Sequence, residues 1–406
     1  MTFFTDDQIR ELIKKNNLKT AGDVQEMLKE MFGRTLEQML EAELENELGY
    51  SKYNYQEKNT DNSRNGHTKK KVRSDYGELD LQIPRDRNSE FDPVVVPKNQ
   101  RDISGIEDQI ISMYAKGMTV RDIQDHLKNI YGMEASPTLI SNITDKLLPV
   151  IKEWQNRPLE EIYPMVFLDA IHYKVRVDGH IATKAAYVAI GVSLGGYKEV
   201  LGIWIGENES AKFWLNVLNE LKNRGVQDIL IVSVDNLSGI SEAIRASFPG
   251  TQIQKCIVHQ IRNSSKYVSY KDLKQFTTDL KPIYKAVSED AGLAALEEFA
   301  SKWEGRYPLA VKSWRNNWSE VSTFFRYPVE IRKLIYTTNM IESFHRQLRK
   351  VTKSKSVFPT DDALLKMLYL ATMDVTGKWT MKIPNWGSVI SQFSIYFEER
   401  LGDLIK

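Results

Sequence analysis

The chain has 406 residues, 42% hydrophobic and 27% charged, which allows two or three folded domains and excludes an intrinsically disordered protein. The formal net charge is only +1 at pH 7, so overall charge alone does not indicate a nucleic-acid-binding protein. Cys256 is the only cysteine, which excludes an internal disulfide and favours a reducing compartment.

The N-terminal region, residues 1–50, is predicted to be helical because leucines and methionines recur at helical spacing between Leu28 and Leu44. An ordinary core face explains this pattern best, and a dimerisation or DNA-binding helix is the alternative. The N-terminus lacks a signal-peptide pattern, and no apolar run reaches the roughly 18 to 20 residues of a membrane span. We therefore expect a cytoplasmic protein without a membrane partner.

Residues 51–101 are predicted to form a polar, basic loop followed by a β-hairpin. In the second half of this region Leu79, Leu81 and Ile83 alternate with polar residues after a Tyr-Gly turn, as in a hairpin. The basic residues before the hairpin are candidate DNA contacts, although a solvated surface explains such a cluster equally well. These candidates are Arg64, Lys69, Lys70, Lys71 and Arg73.

Residues 102–158 are predicted to form three helices that resemble a helix-turn-helix unit. Thr119 and Ser136 are suited to cap the second and third helices, and Gly117 separates the first two. Three-helix units without a DNA-binding role are common, so that alternative stays open. The candidate DNA contacts in this unit are Arg121, Thr138, Ser141 and Asn142.

Residues 159–260 show the pattern β-β-β-α-β-α-β, with Gly179 and Gly195-Gly196 marking two hairpin turns. An antiparallel meander followed by βα units indicates an α/β core like that of ribonuclease H, with a mixed five-stranded sheet. In that fold the first and fourth strands are neighbours. We therefore expect Asp169 and Asp235, at the ends of two apolar runs, to lie close together.

Residues 261–335 are predicted to be an all-helical insertion, after which residues 336–406 complete the core with further helices. The insertion contains three tryptophans, Trp303, Trp314 and Trp318. Core packing between helices is the favoured interpretation, and a platform that stacks on a splayed DNA base is the alternative. The mainly helical N-terminal regions with their small hairpin therefore precede an interrupted α/β catalytic core.

Three carboxylates are candidate catalytic and metal-binding residues: Asp169 and Asp235 at strand ends, and Glu342 on a predicted helix. Taken singly, each has an ordinary explanation, such as a solvent-facing strand end, an Asx turn or a local Glu–Arg pair. Together they are suited to hold two Mg²⁺ ions for phosphodiester chemistry, and we expect Mn²⁺ to substitute.

Basic and sulfur-containing residues accompany these carboxylates in sequence. Cys256 and His259 form a Cys-x-x-His pair, but no second cysteine and no suitably spaced histidines complete a zinc site. The candidate contacts to phosphate or to a DNA strand in this part of the chain are His259, Arg262, His345, Arg346, Arg349 and Lys350.

The sequence resembles a Mutator-type bacterial insertion-sequence transposase from about Leu36 to the C-terminus. Motifs that carry the resemblance include YAKGMTVRDIQDHL, VFLDAIHYKVR, ILIVSVDNLSG, QKCIVHQIRNSSKYVSYKD, IYTTNMIESFHRQLRKVTK and NWGSVISQFSIYFEER. The resemblance implies DDE chemistry on a ribonuclease-H-like core with a helical insertion, with the triad Asp169, Asp235 and Glu342. The family's Cys-x-x-His signature corresponds to Cys256 and His259.

The resemblance also implies partners and products. Family members bind the terminal inverted repeats of their own element, cut DNA strands and join a 3′-hydroxyl to target DNA. We therefore expect double-stranded DNA as partner, a homodimer that holds two DNA ends, no small-molecule substrate, and association with the bacterial nucleoid when DNA is bound. The chain departs from the family at Asn236, where Gly is frequent, and at His345, where Asn is frequent.

Two alternative functions stay open from the sequence. One is a non-catalytic DNA-binding repressor derived from the same scaffold. The other is a structure-selective nuclease that cuts branched DNA without joining it.

Overall fold

The computed structural model describes residues 6–52, 60–74, 76–99, 106–131, 135–207 and 210–401. The chain divides into two compact units. The first comprises residues 1–114 and 118–144, and the second comprises residues 115–117 and 145–406.

The first unit combines helices with one β-hairpin. Its long helix α2 begins at the capping residue Thr20, whose hydroxyl accepts a hydrogen bond from the Asp23 N–H, and ends at Gly49 in the left-handed region. Its elements are α1 (Asp6–Lys15), α2 (Ala21–Leu48), β1 (Arg64–Ser74), β2 (Gly77–Asp86), α3 (Ile106–Ala115), α4 (Val120–Tyr131) and α5 (Pro137–Asp145). The last residues of α3 and α5 lie at the boundary between the two units.

The predicted hairpin is confirmed, but its first strand is longer than expected. The polar segment that was predicted as a loop forms β1 from Arg64 onward, paired antiparallel with β2. The part of that segment between residues 53 and 59 lies outside the described residues. Strand pairing outweighs the low strand propensity of RNGHTKKK because one face packs Val72 against Leu79 and Leu81 beneath α2.

The predicted caps of the helical segment are confirmed. The hydroxyl of Thr119 accepts a hydrogen bond from the Asp122 N–H at 3.1 Å, and that of Ser136 accepts from the Leu139 N–H at 3.1 Å. The third predicted helix is wrong in its extent, because α5 ends at Asp145 and a separate helix follows. Pro149 has no N–H to donate to the carbonyl four residues earlier, which accounts for the break.

The second unit is built on a mixed five-stranded sheet, as predicted, and its first and fourth strands are neighbours. The sheet order is β5-β4-β3-β6-β7, with β3 antiparallel to β4 and parallel to β6. Its elements up to the last strand are α6 (Leu147–Asn156), β3 (Ile162–Val177), β4 (His180–Val192), β5 (Lys198–Gly206), α7 (Ala211–Asn223), β6 (Asp228–Val234), α8 (Ile240–Ser247) and β7 (Gln252–Lys255).

One face of this sheet is covered by α7 and α8, which form a single apolar core with the strands. Trp214, Leu218 and Ile244 are fully buried there against Val166 and Val232. Burial of this many apolar side chains is the main stabilising term for the sheet.

Helices make up the rest of the second unit. They are α9 (Ile257–Ser265), α10 (Tyr270–Asp279), α11 (Lys281–Tyr284), α12 (Glu289–Trp303), α13 (Pro308–Val321), α14 (Val329–Ile335), α15 (Asn339–Thr352), α16 (Asp361–Thr376), α17 (Trp386–Tyr396) and α18 (Glu398–Leu401). The helical content predicted for residues 261–335 is therefore observed, and α15 carries Glu342 in its first turn.

Candidate active site

Two of the three candidate carboxylates are brought together by the pairing of β3 with β6. Leu168 lies opposite Val234 in this parallel ladder, so Asp169 and Asp235 follow at the same edge of the sheet. Beyond this point β6 has ended, whereas β3 continues to Val177. Asp169 is buried, with 9% of its surface exposed. The predicted proximity of these two residues follows from the strand register.

Glu342 reaches the same edge from α15. The hydroxyl of Thr338, the residue before α15, donates to the buried Cys256 sulfur at 3.3 Å. The Ile257 N–H donates to the carbonyl oxygen of Tyr336 at 3.2 Å. These two contacts fix the start of α15 to the start of α9, directly after β7. A carboxylate in the first turn of a helix is also stabilised by the helix dipole.

His259 lies between two of the carboxylates. Its Nδ1 is 3.4 Å from Asp235 Oδ1, and its Nε2 is 3.5 Å from Glu342 Oε1. Arg262, one turn later on α9, donates from Nη1 to Glu342 Oε1 at 3.1 Å. One imidazole and one guanidinium therefore balance negative charge that would otherwise accumulate at the edge of the sheet.

The electrostatics around His259 follow from these contacts. Burial alone would lower the pKa of His259, but hydrogen bonding with Cys256 and the charges of Asp235 and Asp169 raise it to about 9. Burial alone would raise the pKa of the Cys256 thiol, but hydrogen bonds with His259 and Thr338 lower it. The surrounding charges therefore favour the protonated form of the His259 imidazole.

The remaining carboxylate, that of Asp169, is held by a different histidine. Its Oδ1 accepts the N–H of Ala170 at 2.8 Å, and its Oδ2 lies 3.3 Å from Nδ1 of His345. His345 is one turn after Glu342 on α15 and is 7% exposed. Its Nε2 is buried and has no hydrogen-bond partner among the described residues. The sequence assigned His345 to DNA, whereas its contact in the structure is Asp169.

A polar network ties the Asp235 loop to the helical segment. The Asn236 N–H donates to Asp235 Oδ1 at 2.5 Å, and the Asn236 amide donates to Gln260 Oε1 at 2.7 Å. The Gln260 amide in turn donates to Ser313 Oγ at 3.0 Å, and the Asn317 amide donates to Gln260 Oε1 at 3.2 Å. Asn236, one of the departures from the family pattern, thus connects the second carboxylate to α13.

The donor set suits a divalent cation in kind, since carboxylate oxygens are the ligands that Mg²⁺ and Mn²⁺ prefer. In the described part of the chain, however, no group of three or more His, Cys, Asp or Glu side chains is arranged to hold a metal ion. Asp235 and Glu342 face His259, and Asp169 faces His345.

The amino-acid sequence matches the family described as transposase, Mutator family, over residues 4–382. This chain belongs to the Mutator family of transposases. Its members cut DNA and transfer its strands, so the sequence-based prediction of an insertion-sequence transposase, and hence of an enzyme, is confirmed at that level.

Individual relatives agree with this assignment. The chain is 48% identical over 365 residues to the transposase for insertion sequence element ISRM3 of Rhizobium meliloti (strain 1021), covering 90% of each chain. It is 42% identical over 344 residues to a probable insertion-sequence transposase of Corynebacterium diphtheriae, covering 80% of this chain and all of that one. Among solved structures, the Drosophila P element transposase strand transfer complex matches 74% of this chain and 87% of that chain, with 8% identity and a TM-score of 0.28.

The remaining predicted DNA contacts of this transposase fall into two groups. In the second unit, Arg346, Arg349 and Lys350 are exposed on α15. In the first unit, Arg64 is 15% exposed and pairs with Glu41 at 2.7 Å. The other first-unit candidates lie on exposed or half-exposed positions of β1, α4 and α5, and their role in DNA binding stays a prediction; they are Lys69, Lys70, Lys71, Arg73, Arg121, Thr138, Ser141 and Asn142.

The tryptophans of the transposase's helical segment pack inside it. Trp303 and Trp314 are buried, and the Trp314 indole donates to Ser264 Oγ at 3.1 Å. Trp318 is half-buried, with its ring centroid 6.4 Å from that of Phe325. Burial of the first two leaves no face available for a DNA base. In the described residues, no helix has both the length and the apolarity to cross a membrane.

Several residues that build the transposase's site were not identified from the sequence. Thr338 and Gln260 are buried polar residues whose side chains hold α15, α9 and α13 together. Their types and spacings are ordinary for helices, so nothing in the sequence marks them.

Proposed function

We propose that this transposase uses a DDE mechanism in which Asp169, Asp235 and Glu342 hold two divalent cations. Mg²⁺ is the expected ion, with Mn²⁺ able to substitute. We also propose that the mixed sheet with its flanking helices is a ribonuclease-H-like core and that residues 261–335 are its helical insertion. The strand order supports this proposal, as does the position of Asp169 within β3 beside Asp235, which directly follows the last residue of β6.

The observation that carries the proposal is the meeting of three distant segments at one edge of the sheet. Asp169 and Asp235 are 66 positions apart (235 − 169), and Asp235 and Glu342 are 107 apart (342 − 235). Nevertheless, His259 lies within 3.5 Å of both Asp235 and Glu342, and the register of β3 and β6 places Asp169 beside Asp235. Clustered carboxylates of this kind are costly unless they bind cationic groups.

Bound divalent cations would activate a water or 3′-hydroxyl and stabilise the leaving oxygen. The protein's own residues do the positioning. Ala170 and His345 fix the Asp169 carboxylate, and the N–H of Asn236 fixes that of Asp235. His259 and Arg262 supply positive charge beside the carboxylates, where a DNA phosphate has to approach.

The proposed DNA partners are the terminal inverted repeats of the element and the target DNA, bound as double strands. The hairpin and the three-helix segment of the first unit present exposed basic and polar side chains suited to phosphate and base contacts. Holding two DNA ends at once requires two active sites, so we propose a homodimer.

The experiment that tests this proposal compares isosteric substitutions that remove charge and keep shape. Asp169→Asn, Asp235→Asn and Glu342→Gln are each expected to abolish cleavage and joining of duplexes that carry the element's ends, in Mg²⁺ or Mn²⁺, and to leave DNA binding intact. Glu242→Gln, an exposed carboxylate change on α8, is the matched control and is expected to retain activity. Products are mapped to the nucleotide on sequencing gels.

Different outcomes separate the other functions. Normal cleavage by any of the three triad variants would remove that residue from the site. Specific binding of end sequences without nicking under any divalent ion would indicate the DNA-binding repressor. Cleavage of branched DNA without any joined product would indicate the structure-selective nuclease.

A further inference from the structure

A basic groove lies between β3 and α15, next to the candidate active site. The cavity has a volume of about 740 Å³. One wall is formed by His172, Tyr173 and Lys174 of β3, and the other by the second half of α15 and the residues that follow it. β6 pairs with β3 only as far as Leu168. In the part of the chain that the structure describes, β3 then has no strand neighbour on that side until Val175 pairs with Phe358.

The groove is defined by its positive charge. Among the described residues, none that lines the groove carries a carboxylate. Within the described part of the chain, Lys174, Arg346, Arg349, Lys350 and Lys353 form no ion pair, unlike Lys184 or Lys366 in the same unit. The cationic side chains that line it are Lys174, Arg346, Arg349, Lys350, Lys353 and Lys355.

The charges follow a line that starts at the catalytic carboxylate. Arg346, Arg349, Lys350 and Lys353 come four, seven, eight and eleven positions after Glu342. These spacings place them along one helix face, and the last of them lies about 16 Å beyond Glu342 at 1.5 Å per residue. A DNA strand advances about 3.4 Å per nucleotide along a duplex axis, so this length matches about five phosphates.

The wall opposite α15 is fixed in place. The Phe358 N–H donates to the Lys174 carbonyl oxygen at 2.8 Å, and the Arg176 N–H donates to the Phe358 carbonyl oxygen at 2.9 Å. The Tyr173 ring packs edge-on against Phe358, with centroids 5.8 Å apart. The groove therefore exists before any ligand binds.

Stabilisation of α15 does not account for this arrangement. Cations in the last turn of a helix interact favourably with its dipole, which explains Arg349 and Lys350. It does not explain Arg346 in the middle of the helix or Lys174 on a strand. Unpaired cations gathered from separate elements repel one another, and a polyanion removes that cost.

We infer that this groove binds the sugar–phosphate backbone of one strand of the DNA duplex, over about five nucleotides on one side of the phosphate that is cut. The inference rests on the proposed function, because Glu342 marks the end of the groove at which cutting takes place. Its role is to hold the strand in register with the carboxylates, without reading the base sequence.

The first test measures the salt dependence of DNA binding by the full-length protein, without divalent ions so that no cleavage occurs. Removing one cation that neutralises a phosphate reduces the slope of log K against log salt by about 0.9 for duplex DNA. The triple variant Arg349→Gln, Lys350→Gln, Lys353→Gln is therefore expected to lower the slope by about 2 to 3. The matched control removes the same charge from exposed positions outside the groove, by the substitutions Lys271→Gln, Lys274→Gln and Lys281→Gln. It is expected to leave the slope unchanged.

The inference would be overturned if the wild type and the groove variant had equal slopes of log K against log salt, or if the slope of the control variant fell as much as that of the groove variant. If thermal melting shows that the triple variant is not folded, the single substitution Arg349→Gln is measured instead, with an expected fall of about 0.9. Because this assay needs no cutting, it can fail while the triad variants behave as proposed, and it can succeed while they do not.

The second test locates the strand by replacing single phosphates with neutral methylphosphonates. At a phosphate that Arg349 contacts, the methylphosphonate and the Arg349→Gln substitution are each expected to weaken binding. Combining the two is expected to weaken binding little more than either change alone. Such coupling should be confined to about five consecutive phosphates on one side of the cleavage point. Additive losses at every phosphate would contradict the assignment of the groove to a DNA strand.

Discussion

The contact between His345 and Asp169 leads to a prediction about how the first carboxylate is held. Replacing His345 with Leu puts an apolar side chain of similar size at this buried position and removes the ring nitrogen 3.3 Å from Asp169 Oδ2. Among the described residues, the Asp169 carboxylate then keeps a single hydrogen-bond donor, the N–H of Ala170. Replacing His345 with Asn retains a nitrogen at the same branch position, one bond from Cγ, from which it can donate to the carboxylate.

The expected magnitude follows from the known cost of losing a group that orients a metal ligand, which is about 10- to 100-fold in activity. This range corresponds to about 1.4 to 2.7 kcal/mol in the activation free energy. We expect His345→Leu to lose activity within that range. We expect His345→Asn to stay within about threefold of wild type, because the oriented carboxylate is retained.

The assay is single-turnover cleavage of a labelled DNA end at saturating protein, so that the rate reports the cleavage step and not the binding of DNA. Binding is measured separately by fluorescence anisotropy and is expected to be unchanged in both variants, since His345 is too buried to contact a DNA strand. Equal losses for Leu and Asn would refute the orienting role. A loss of binding with normal single-turnover rates would instead support the DNA contact that the sequence suggested.

Two further substitutions test the packing that holds the second unit together. The Glu320 carboxylate lies 2.9 Å from Lys255 Nζ and 2.5 Å from Arg245 Nη2. Burial alone would raise the pKa of Glu320, but these contacts hold it below its usual value of 4.5. The ionised carboxylate therefore stabilises the fold above pH 4.5, and this contribution is lost as the pH falls through the lowered pKa. Glu320→Gln is therefore expected to lower the free energy of unfolding by about 3 kcal/mol at pH 7 and by less near pH 3, measured by urea denaturation. Gly117→Ala is expected to lower the free energy of unfolding by at least about 1 kcal/mol, because φ of Gly117 is +92° and the new methyl group would collide with the carbonyl oxygen of Val351. An unchanged urea midpoint for either variant would contradict the packing argument made for it.

The sheet was predictable from the sequence because its signals are local and strong. Apolar runs, glycines at the turns and the alternation of strands with helices gave the order of elements. That order resembles the layout of ribonuclease H, in which the first and fourth strands lie side by side. The pairing of Leu168 with Val234 then brings Asp169 and Asp235 to one edge. The position of two of the three carboxylates therefore followed from topology alone.

Contacts between distant side chains were not predictable in the same way. The sequence placed both Arg64 and His345 in DNA contacts because each lies in a basic run. In the structure, Arg64 pairs with Glu41 and His345 contacts Asp169. A run of like charges shows where positive charge is concentrated along the chain, but it does not show which members a folded neighbour neutralises. The strand β1 was missed for a related reason, since its pairing and its packing under α2 outweigh its composition.

The Cys-x-x-His pair has a physical explanation in the placement of Glu342. Cys256 is buried at the start of α9 and accepts from Thr338, the residue before α15, so it fixes the beginning of the helix that carries the third carboxylate. His259, three residues later, lies about one helical turn along and reaches both Asp235 and Glu342. One turn of α9 therefore holds the start of the helix that carries Glu342, and it places the His259 imidazole where it can balance the charges of Glu342 and Asp235. Both residues act on the first turn of α15. Changing either Cys256 or His259 is therefore expected to move Glu342 away from Asp169 and Asp235.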